Sequence, residues 1–308
     1  MKAFVFPGFD SLEVKSEREN SLQLPEVQKM IAQVQEILQK NHLNETDLVQ
    51  FILSDDKNFN SQLGLKVATS VAVQVGVFNQ WKLAGESVDF IMGCSLGDLA
   101  RSVCAGIVEL EAIVCGGYKF GESLMSRPRG EIYKCSTATS ISLKELEQSL
   151  PVNTHVAVFQ TPKHFLIAGE GEAFHKWITE RISKGFRIYK MADVPLHSPL
   201  MQDVSETMKD IIDSASVKSP QMRIFSSVWC REISTRSEFA QEISDNITHK
   251  VNWVSSLRQI IENLGVNEII SMGPASTLLK FSERIPVGRK YQSIDAFKIL
   301  IERHGVFA

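Results

Sequence analysis

Apolar and polar positions over the first hundred residues follow a strand, helix, strand, helix order. Residues 2–6 form a short apolar run that ends at a Pro-Gly pair, which predicts a buried strand closed by a turn. Apolar positions between residues 27 and 38 recur at helical spacing, which predicts an amphipathic helix. A more apolar helix is expected over residues 62–83, a strand over 88–92 and a further helix over 98–103. The chain therefore begins as an α/β protein.

Shorter units replace this pattern between residues 131 and 194. Their order is strand, helix, strand, strand, helix, strand, which is typical of a ferredoxin-like unit. The strands are expected near residues 132–135, 156–160, 165–168 and 186–192, and the helices near residues 143–150 and 172–183.

Helical patterns return after residue 198, together with short strands near residues 222–228 and 268–272. We therefore predict a larger α/β body made of residues 1–127 and 196–308, with a small ferredoxin-like subdomain inserted over residues 128–195.

Composition narrows the classes of protein. Hydrophobic residues make up 44% of the 308 residues, which is enough for a large core. Lys and Arg number 33 against 36 for Asp and Glu, without a long block of like charge, so we do not expect nucleic acid as a partner. No stretch approaches the roughly 20 apolar residues that cross a bilayer, and a signal-peptide pattern is absent, so we expect a cytoplasmic protein without a membrane partner. Five cysteines without a C-x-x-C pair indicate neither a disulfide framework nor a metal site.

Residues 93–97, Gly-Cys-Ser-Leu-Gly, match the G-x-S-x-G pattern of a nucleophile elbow. In that motif the serine lies at a strained corner between a strand and a helix, with its Oγ exposed. A strand is predicted before it and a helix after it, so we interpret Ser95 as a nucleophile. The corner also brings the backbone N–H of Leu96 beside the serine, where it can stabilise an oxyanion. A side chain next to the corner points away from its apex, so we interpret Cys94 as part of the pocket wall.

A serine hydroxyl needs a base, and among the seven histidines the sequence favours His197. It lies in residues 194–201, Val-Pro-Leu-His-Ser-Pro-Leu-Met, directly after a predicted strand and before a predicted helix. The inserted subdomain rejoins the larger body at this junction, and a cleft is expected there. We therefore predict that the side chains of Ser95 and His197 lie within hydrogen-bond distance of each other.

Several stretches together resemble the malonyl-CoA:acyl carrier protein transacylases, a family that includes the acyltransferase domains of polyketide synthases. The stretches, in chain order, are residues 4–8, 60–106, 161–162, 167–169, 194–201, 252–253 and 272–274. They span nearly the whole chain and keep the family's order, which is more specific than any one motif. The resemblance implies an α/β-hydrolase-like large subdomain with an inserted ferredoxin-like small subdomain.

The resemblance also implies a mechanism. Ser95 would take the acyl group from an acyl-CoA and pass it to the phosphopantetheine thiol of an acyl carrier protein, with His197 as general base and acid. The backbone carbonyl of Asn246 would orient the histidine, and the N–H groups of Leu96 and Phe9 would form the oxyanion hole. No tightly bound cofactor and no metal are implied, because the substrates arrive on CoA or phosphopantetheine.

The departures from the family concern the site itself. Phe9 replaces the glutamine of the family's Pro-Gly-Gln, and Cys94 replaces the histidine before the nucleophile. Phe120 stands where malonyl-specific members carry an arginine that grips the free carboxylate of the substrate. A guanidinium binds a carboxylate with two charge-assisted hydrogen bonds, whereas a phenyl ring offers none. We therefore expect a neutral acyl group rather than malonyl.

The predicted substrate-binding residues are thus Phe120, Cys94 and Gln62, the last of which belongs to the matching stretch 60–106. A one-turn slip in the alignment leaves an alternative open, in which Lys119 or Lys66 supplies a positive charge to the pocket.

Three functions are compatible with these residues. The first is an acyltransferase that moves an acyl group between CoA or carrier-protein thioesters, in polyketide or fatty-acid-type biosynthesis. The second is an acyl hydrolase on the same scaffold, in which water resolves the acyl-serine and clears stalled chains from carrier proteins. The third is a non-catalytic carrier-binding protein, against which the intact Ser95 and His197 argue. The first two differ only in the nucleophile that attacks the acyl-enzyme.

Overall fold

The computed structural model describes residues 1–85, 87–125, 130–274 and 277–303. The strands, in chain order, are β1 Lys2–Phe6, β2 Phe90–Gly93, β3 Glu131–Ser136, β4 Thr154–Thr161, β5 His164–Gly169, β6 Arg187–Ala192, β7 Arg223–Ser226, β8 Arg231–Ile233, β9 Glu268–Ser271 and β10 Gln292–Asp295. The α-helices are α1 Lys15–Ser21, α2 Pro25–Lys40, α3 Leu48–Leu53, α4 Asp56–Ser61, α5 Leu63–Leu83, α6 Gly97–Cys104, α7 Leu110–Met125, α8 Leu143–Gln148, α9 Gly171–Ser183, α10 Gln202–Ser214, α11 Arg236–Thr248, α12 Trp253–Arg258, α13 Thr277–Ser282 and α14 Ala296–Arg303. Short 3-10 turns lie at Phe9–Leu12 and Pro199–Met201, and a π-turn lies at Gln259–Asn263.

The larger sheet joins the two ends of the chain, with strand order β10-β9-β1-β2-β7-β8. Its strands pair in parallel except for β8, which is antiparallel to β7. The register sets Phe6 opposite Gly93, so the carboxyl ends of β1 and β2 lie side by side. Ligands of open parallel sheets bind beyond these ends of the strands. The loop after β1 and the G-x-S-x-G corner after β2 therefore share one edge of the sheet.

The smaller sheet is antiparallel, with strand order β4-β5-β3-β6, and carries α8 and α9. This is the ferredoxin-like order, and each strand and helix predicted between residues 131 and 194 is present with shifts of a few residues at its ends. The predicted domain boundary at residues 127 and 128 lies outside the described residues, and the division at residues 195 and 196 stays a prediction.

In the larger body, helical periodicity predicted α2 and α5 correctly. The apolar positions expected on α2 are all buried in the structure. α5 is buried on nearly all sides, which agrees with its predicted apolar character, and it begins one residue later than expected. The interior between these helices and the larger sheet holds residues such as Phe4, Phe6 and Phe78, whose rings are in contact.

Three strand assignments differ from the sequence-based expectation. The strand expected over residues 88–92 is Phe90–Gly93, because Asp89 turns its carboxylate back to accept the backbone N–H of Lys2. β8 and β10 were not predicted. Both lie at edges of the larger sheet and consist largely of polar residues, so they lack the apolar run that indicates a buried strand. Within the described ranges, the helices do not combine the length and apolar content that crossing a bilayer requires.

Candidate active site

Ser95 lies at a tight corner between β2 and α6. Its φ of 58° places it in the left-handed region, which is strained for a residue with a side chain. The flanking glycines are required by close backbone approach. A Cβ on Gly97 would overlap the carbonyl oxygen of Phe6, and a Cβ on Gly93 would overlap Asp98. The corner therefore packs against β1 and against the first turn of its own helix.

The structure brings His197 to this corner. Its Nε2 lies 2.7 Å from Oγ of Ser95, across 102 residues of sequence. His197 follows β6 and precedes the 3-10 turn Pro199–Met201, and its φ of 60° is also in the left-handed region. Two strained residues thus face each other across a hydrogen bond, an arrangement that surrounding contacts must hold in place.

The end of α11 holds the imidazole. Nδ1 of His197 lies 2.5 Å from the carbonyl oxygen of Asn246, and the backbone N–H of His197 donates to the carbonyl of Ile247 at 2.8 Å. The last carbonyls of a helix have no intrahelical donors, and they carry the partial negative charge of the helix dipole. Because a carbonyl only accepts, Nδ1 carries the proton and Nε2 is left with the lone pair that faces Ser95.

Burial lowers the pKa of His197 to about 4, although the hydrogen bond to the Asn246 carbonyl opposes this shift. The ring is therefore neutral near pH 7. A neutral imidazole whose lone pair points at a serine hydroxyl has the form that a general base requires.

Two backbone N–H groups lie at helix starts beside Ser95. Leu96 is the N-cap of α6, and Phe9 opens the 3-10 turn after β1, so neither N–H has an intrahelical acceptor. A Cβ on Gly8 would lie 3.5 Å from Cβ of Ser95, which shows how closely the loop after β1 approaches the corner. Gln74, buried on α5, donates to the carbonyl oxygen of Pro7 at 2.9 Å and fixes this loop.

Two of the cavities formed by the described residues are lined by both Ser95 and His197. A cleft of about 820 Å³ runs between the larger body and the smaller sheet and contains both polar and apolar side chains. The second cavity has a volume of about 40 Å³. Its apolar lining consists of Leu96, Leu99, Phe120, Leu196, Met208, Ile243 and Ile247. Asp98 and Asn246 add polar atoms to this small cavity.

The predicted substrate-binding residues are placed differently from one another. Phe120 lines the small cavity and Cys94 lines the cleft. Burial raises the pKa of the Cys94 thiol well above its usual range, so the thiol is neutral. Gln62 does not belong to the cleft lining, and its side-chain amide instead donates to Asn58. The reason is local, since Gln62 is the residue at which α4 ends and α5 begins.

The two lysines considered as a source of charge also differ. Lys119 is exposed on α7 and lies outside the lining of both cavities. Lys66 lines the cleft, where its Nζ lies 2.6 Å from Oδ1 of Asn60. Burial lowers the pKa of Lys66, while Glu13 and Asp10 oppose this shift. Lys66 therefore faces the large cleft and not the small cavity that contains Phe120.

One buried group of charges next to the site was not predicted from the sequence. Arg101 on α6 forms ion pairs with Asp98 and with Glu242 on α11, and all three side chains are almost fully buried. Among the described residues, no cluster of three or more His, Cys, Asp or Glu side chains could hold a metal ion.

An α/β-hydrolase-like body, a ferredoxin-like subdomain and a Ser–His pair in the cleft between them are the features of an acyl-transferring enzyme. Residues 26–285 match the acyl transferase domain family, and the chain belongs to that family. It is an acyltransferase of the type found in malonyl-CoA:acyl carrier protein transacylases and polyketide synthases.

Similar proteins agree with this assignment. The chain is 24% identical over 289 residues to a malonyl CoA-acyl carrier protein transacylase of Bacillus subtilis, covering 90% of this chain and 87% of the relative. It is 26% identical over 279 residues to a phenolphthiocerol synthesis polyketide synthase of Mycobacterium marinum, covering 90% of this chain but only 13% of that synthase. The structure of the malonyl CoA-acyl carrier protein transacylase of Coxiella burnetii has the same fold, with a TM-score of 0.83, 21% identity and coverage of 99% and 96% of the two chains.

Proposed function

We propose that the protein transfers a short neutral acyl group between thioesters through an acyl-Ser95 intermediate. The observation that carries this proposal is the 2.7 Å contact between Oγ of Ser95 and the unprotonated Nε2 of His197, with an apolar cavity directly beside it. The donor and acceptor thiols would belong to CoA or to the phosphopantetheine arm of an acyl carrier protein, as the name of the Bacillus relative suggests.

The chemistry uses this chain's own groups. As Oγ of Ser95 attacks the thioester carbonyl, its proton passes to Nε2 of His197. The N–H groups of Leu96 and Phe9 would receive the developing oxyanion. The C–S bond then breaks and the departing thiolate takes the proton from the imidazolium. The acceptor thiol repeats the sequence in reverse, so that Ser95 regains its proton and the acyl group forms a new thioester.

The preference for a neutral acyl group rests on the small cavity. A carboxylate placed against Phe120 and the surrounding aliphatic side chains would lose its hydration, and the amide of Asn246 in this cavity already donates to Asp98. The cost of such a placement is several kcal/mol. Such a cost corresponds to a selectivity on the order of 10² to 10⁴ against malonyl. The volume of about 40 Å³ further favours an acyl group as short as acetyl.

The role of Lys66 is separate in this proposal. It would contact the part of the substrate that occupies the cleft and not the acyl end.

The pathway would be of the polyketide or fatty-acid type, as for the relatives. The cytoplasmic location expected from the sequence stays a prediction.

The test is to incubate the protein with acetyl-CoA or malonyl-CoA and to follow its intact mass with time. We expect a lasting acetyl adduct that disappears in Ser95→Ala and is retained in Ser102→Ala, which makes the same change at a buried serine on α6. Equal labelling by malonyl and acetyl would contradict the proposed selectivity. Rapid release of free acid would indicate the hydrolase, and no adduct with any donor would indicate a carrier-binding protein without this activity.

A further inference from the structure

A continuous series of buried polar contacts links α6, which begins at the Ser95 corner, to α11, which holds His197. Arg101 on α6 reaches Glu242 on α11 with both terminal nitrogens, at 3.2 Å from Nη1 to Oε1 and 2.6 Å from Nη2 to Oε2. Nη1 of Arg101 also lies 3.0 Å from Oδ1 of Asp98. The other oxygen of Asp98 accepts a hydrogen bond from Nδ2 of Asn246.

This network touches both members of the Ser–His pair. On the serine side, the backbone N–H of Asp98 donates to the carbonyl oxygen of Ser95 at 3.0 Å. On the histidine side, Nδ2 of Asn246 donates to the carboxylate of Asp98, and the carbonyl oxygen of Asn246 accepts from Nδ1 of His197. Glu242 lies one turn before Asn246 on the same helix. Arg101 therefore holds α11 in place one turn before the carbonyl that orients His197.

Stability alone does not account for these charges. Arg101 and Glu242 are fully buried and Asp98 is 1% exposed. Removing such ions from water is costly, and apolar residues of similar volume often stabilise a protein as well or better. A guanidinium that donates two hydrogen bonds to one carboxylate, by contrast, does so in one planar geometry only. The arrangement therefore fixes the relative position of two helices more strictly than apolar contact would.

We propose that Arg101 is a positioning residue for acyl transfer, which sets the hydrogen bond between the Asn246 carbonyl and His197 through Asp98 and Glu242. This rests on the proposed function only in so far as the effect is read from acyl transfer. Burial raises the pKa of Asp98 and Arg101 opposes the shift. Without Arg101 the pKa of Asp98 would rise further, and the protonated acid would be a poorer acceptor for Asn246.

Substitutions can separate positioning from stability. Arg101→Met leaves Glu242 buried without its cation and should lower both the urea midpoint and the rate of Ser95 acylation. In Arg101→Met/Glu242→Met the charge of Glu242 is gone and Asp98, whose pKa is raised by burial, is protonated, so the midpoint should return toward that of the wild type. We expect the acylation rate of this double variant to stay 10- to 100-fold low with KM within about twofold, whereas Arg101→Lys should recover part of the rate.

The matched control is Ser244→Ala. Ser244 also lies buried on α11, but its Oγ contacts Ser205 on α10 and not the network. We expect Ser244→Ala to lower the urea midpoint and to leave the acylation rate within about twofold. Recovery of the wild-type rate together with the midpoint in the double variant would show that Arg101 acts on stability only, and would overturn the proposal. The same holds if Ser244→Ala slows acylation as much as Arg101→Met.

A second readout does not depend on activity. The proton on Nδ1 of His197 should give a low-field NMR resonance, assigned with ¹⁵N-histidine and by its loss in His197→Gln. We expect it to shift or broaden in Arg101→Met/Glu242→Met and in Arg101→Lys, and to be unchanged in Ser244→Ala. An unchanged resonance in the double variant would overturn the proposal. If the wild type transfers no acyl group, the proposed function fails, and this resonance still decides the role of Arg101.

Discussion

Nδ1 of His197 lies 2.5 Å from the carbonyl oxygen of Asn246, which lies in the last turn of α11 and has no intrahelical donor. The group that orients the imidazole is thus a neutral backbone carbonyl at the negative end of a helix. A carboxylate in this position would raise the pKa of the ring strongly, whereas a carbonyl offers only a partial charge. Burial therefore dominates, and it lowers the pKa of His197 to about 4.

This low pKa predicts a pH-dependent loss of stability. An unfolded histidine titrates near 6.5, so between this value and about 4 the unfolded state binds more protons than the folded state. The stabilising effect of the buried neutral ring is complete above pH 6.5 and is lost as the pH falls toward 4. At pH 5 the loss should be about 2 kcal/mol relative to pH 7.

Urea unfolding at pH 7 and pH 5 measures this loss, and His197→Gln provides the comparison because glutamine does not titrate. The difference between wild type and variant should change by about 2 kcal/mol between the two pH values. If it does not change, the ring is not held neutral by burial. The other histidines are the same in both proteins and cancel.

The sequence could predict the features that depend on local pattern. Patterns among neighbouring residues predict the apolar stripe on α2 and the apolar length of α5. They also predict the strand before Ser95 and the helix after it. His197 was found from its place at a junction, which is also local. The ion pair between Arg101 and Glu242 joins residues 141 positions apart. Arg101 lies outside the G-x-S-x-G pattern, and Glu242 lies outside every stretch that resembles the family. Contacts of this kind depend on how helices cross, so spacing along the chain does not reveal them.

The substrate-binding role of Gln62 stays a prediction that rests only on the resemblance to the family. Gln62 belongs to the stretch that resembles the family, yet its side chain turns to Asn58 at the junction of α4 and α5. The placement of a side chain at a helix start depends on capping contacts with the preceding turn. A resemblance in sequence does not define those contacts.

Phe120→Arg should increase the use of malonyl relative to acetyl. The guanidinium would enter the small cavity and could bind the free carboxylate of malonate with two hydrogen bonds. Asp98 lines the same cavity and would compete for the guanidinium, so we expect a gain of about tenfold in the malonyl-to-acetyl ratio of acylation rates. Intact-mass time courses with both thioesters measure this ratio.

Phe120→Leu is the matched control, because it changes the volume of the cavity without adding charge. It should leave the ratio of malonyl to acetyl within about threefold of the wild type. An arginine variant with the same ratio as the leucine variant would show that the side chain at position 120 does not contact the acyl group.

Cys94→Ala should retain acylation at Ser95. The thiol lies in the cleft wall, and burial raises its pKa well above the usual range, so it is not a thiolate near pH 7. We expect the acetyl adduct to form within about threefold of the wild-type rate, and peptide mapping should find it on Ser95. An adduct that is abolished by Cys94→Ala but survives in Ser95→Ala would show that Cys94, and not Ser95, is the nucleophile.

Gly97→Ala tests the geometry of the corner on which the site depends. The added Cβ would overlap the carbonyl oxygen of Phe6, and since this is backbone of a central strand it cannot move aside without shifting β1. We expect a loss of about 3 kcal/mol or more in the free energy of unfolding, measured with urea, together with loss of the Ser95 adduct. Gly288→Ala is the control, because the nearest atom to its added Cβ is the carboxylate oxygen of Glu262 at 3.6 Å. It should change the unfolding free energy by less than about 1 kcal/mol, and a similar loss in both variants would mean that the close approach of β1 to the corner is not what requires glycine.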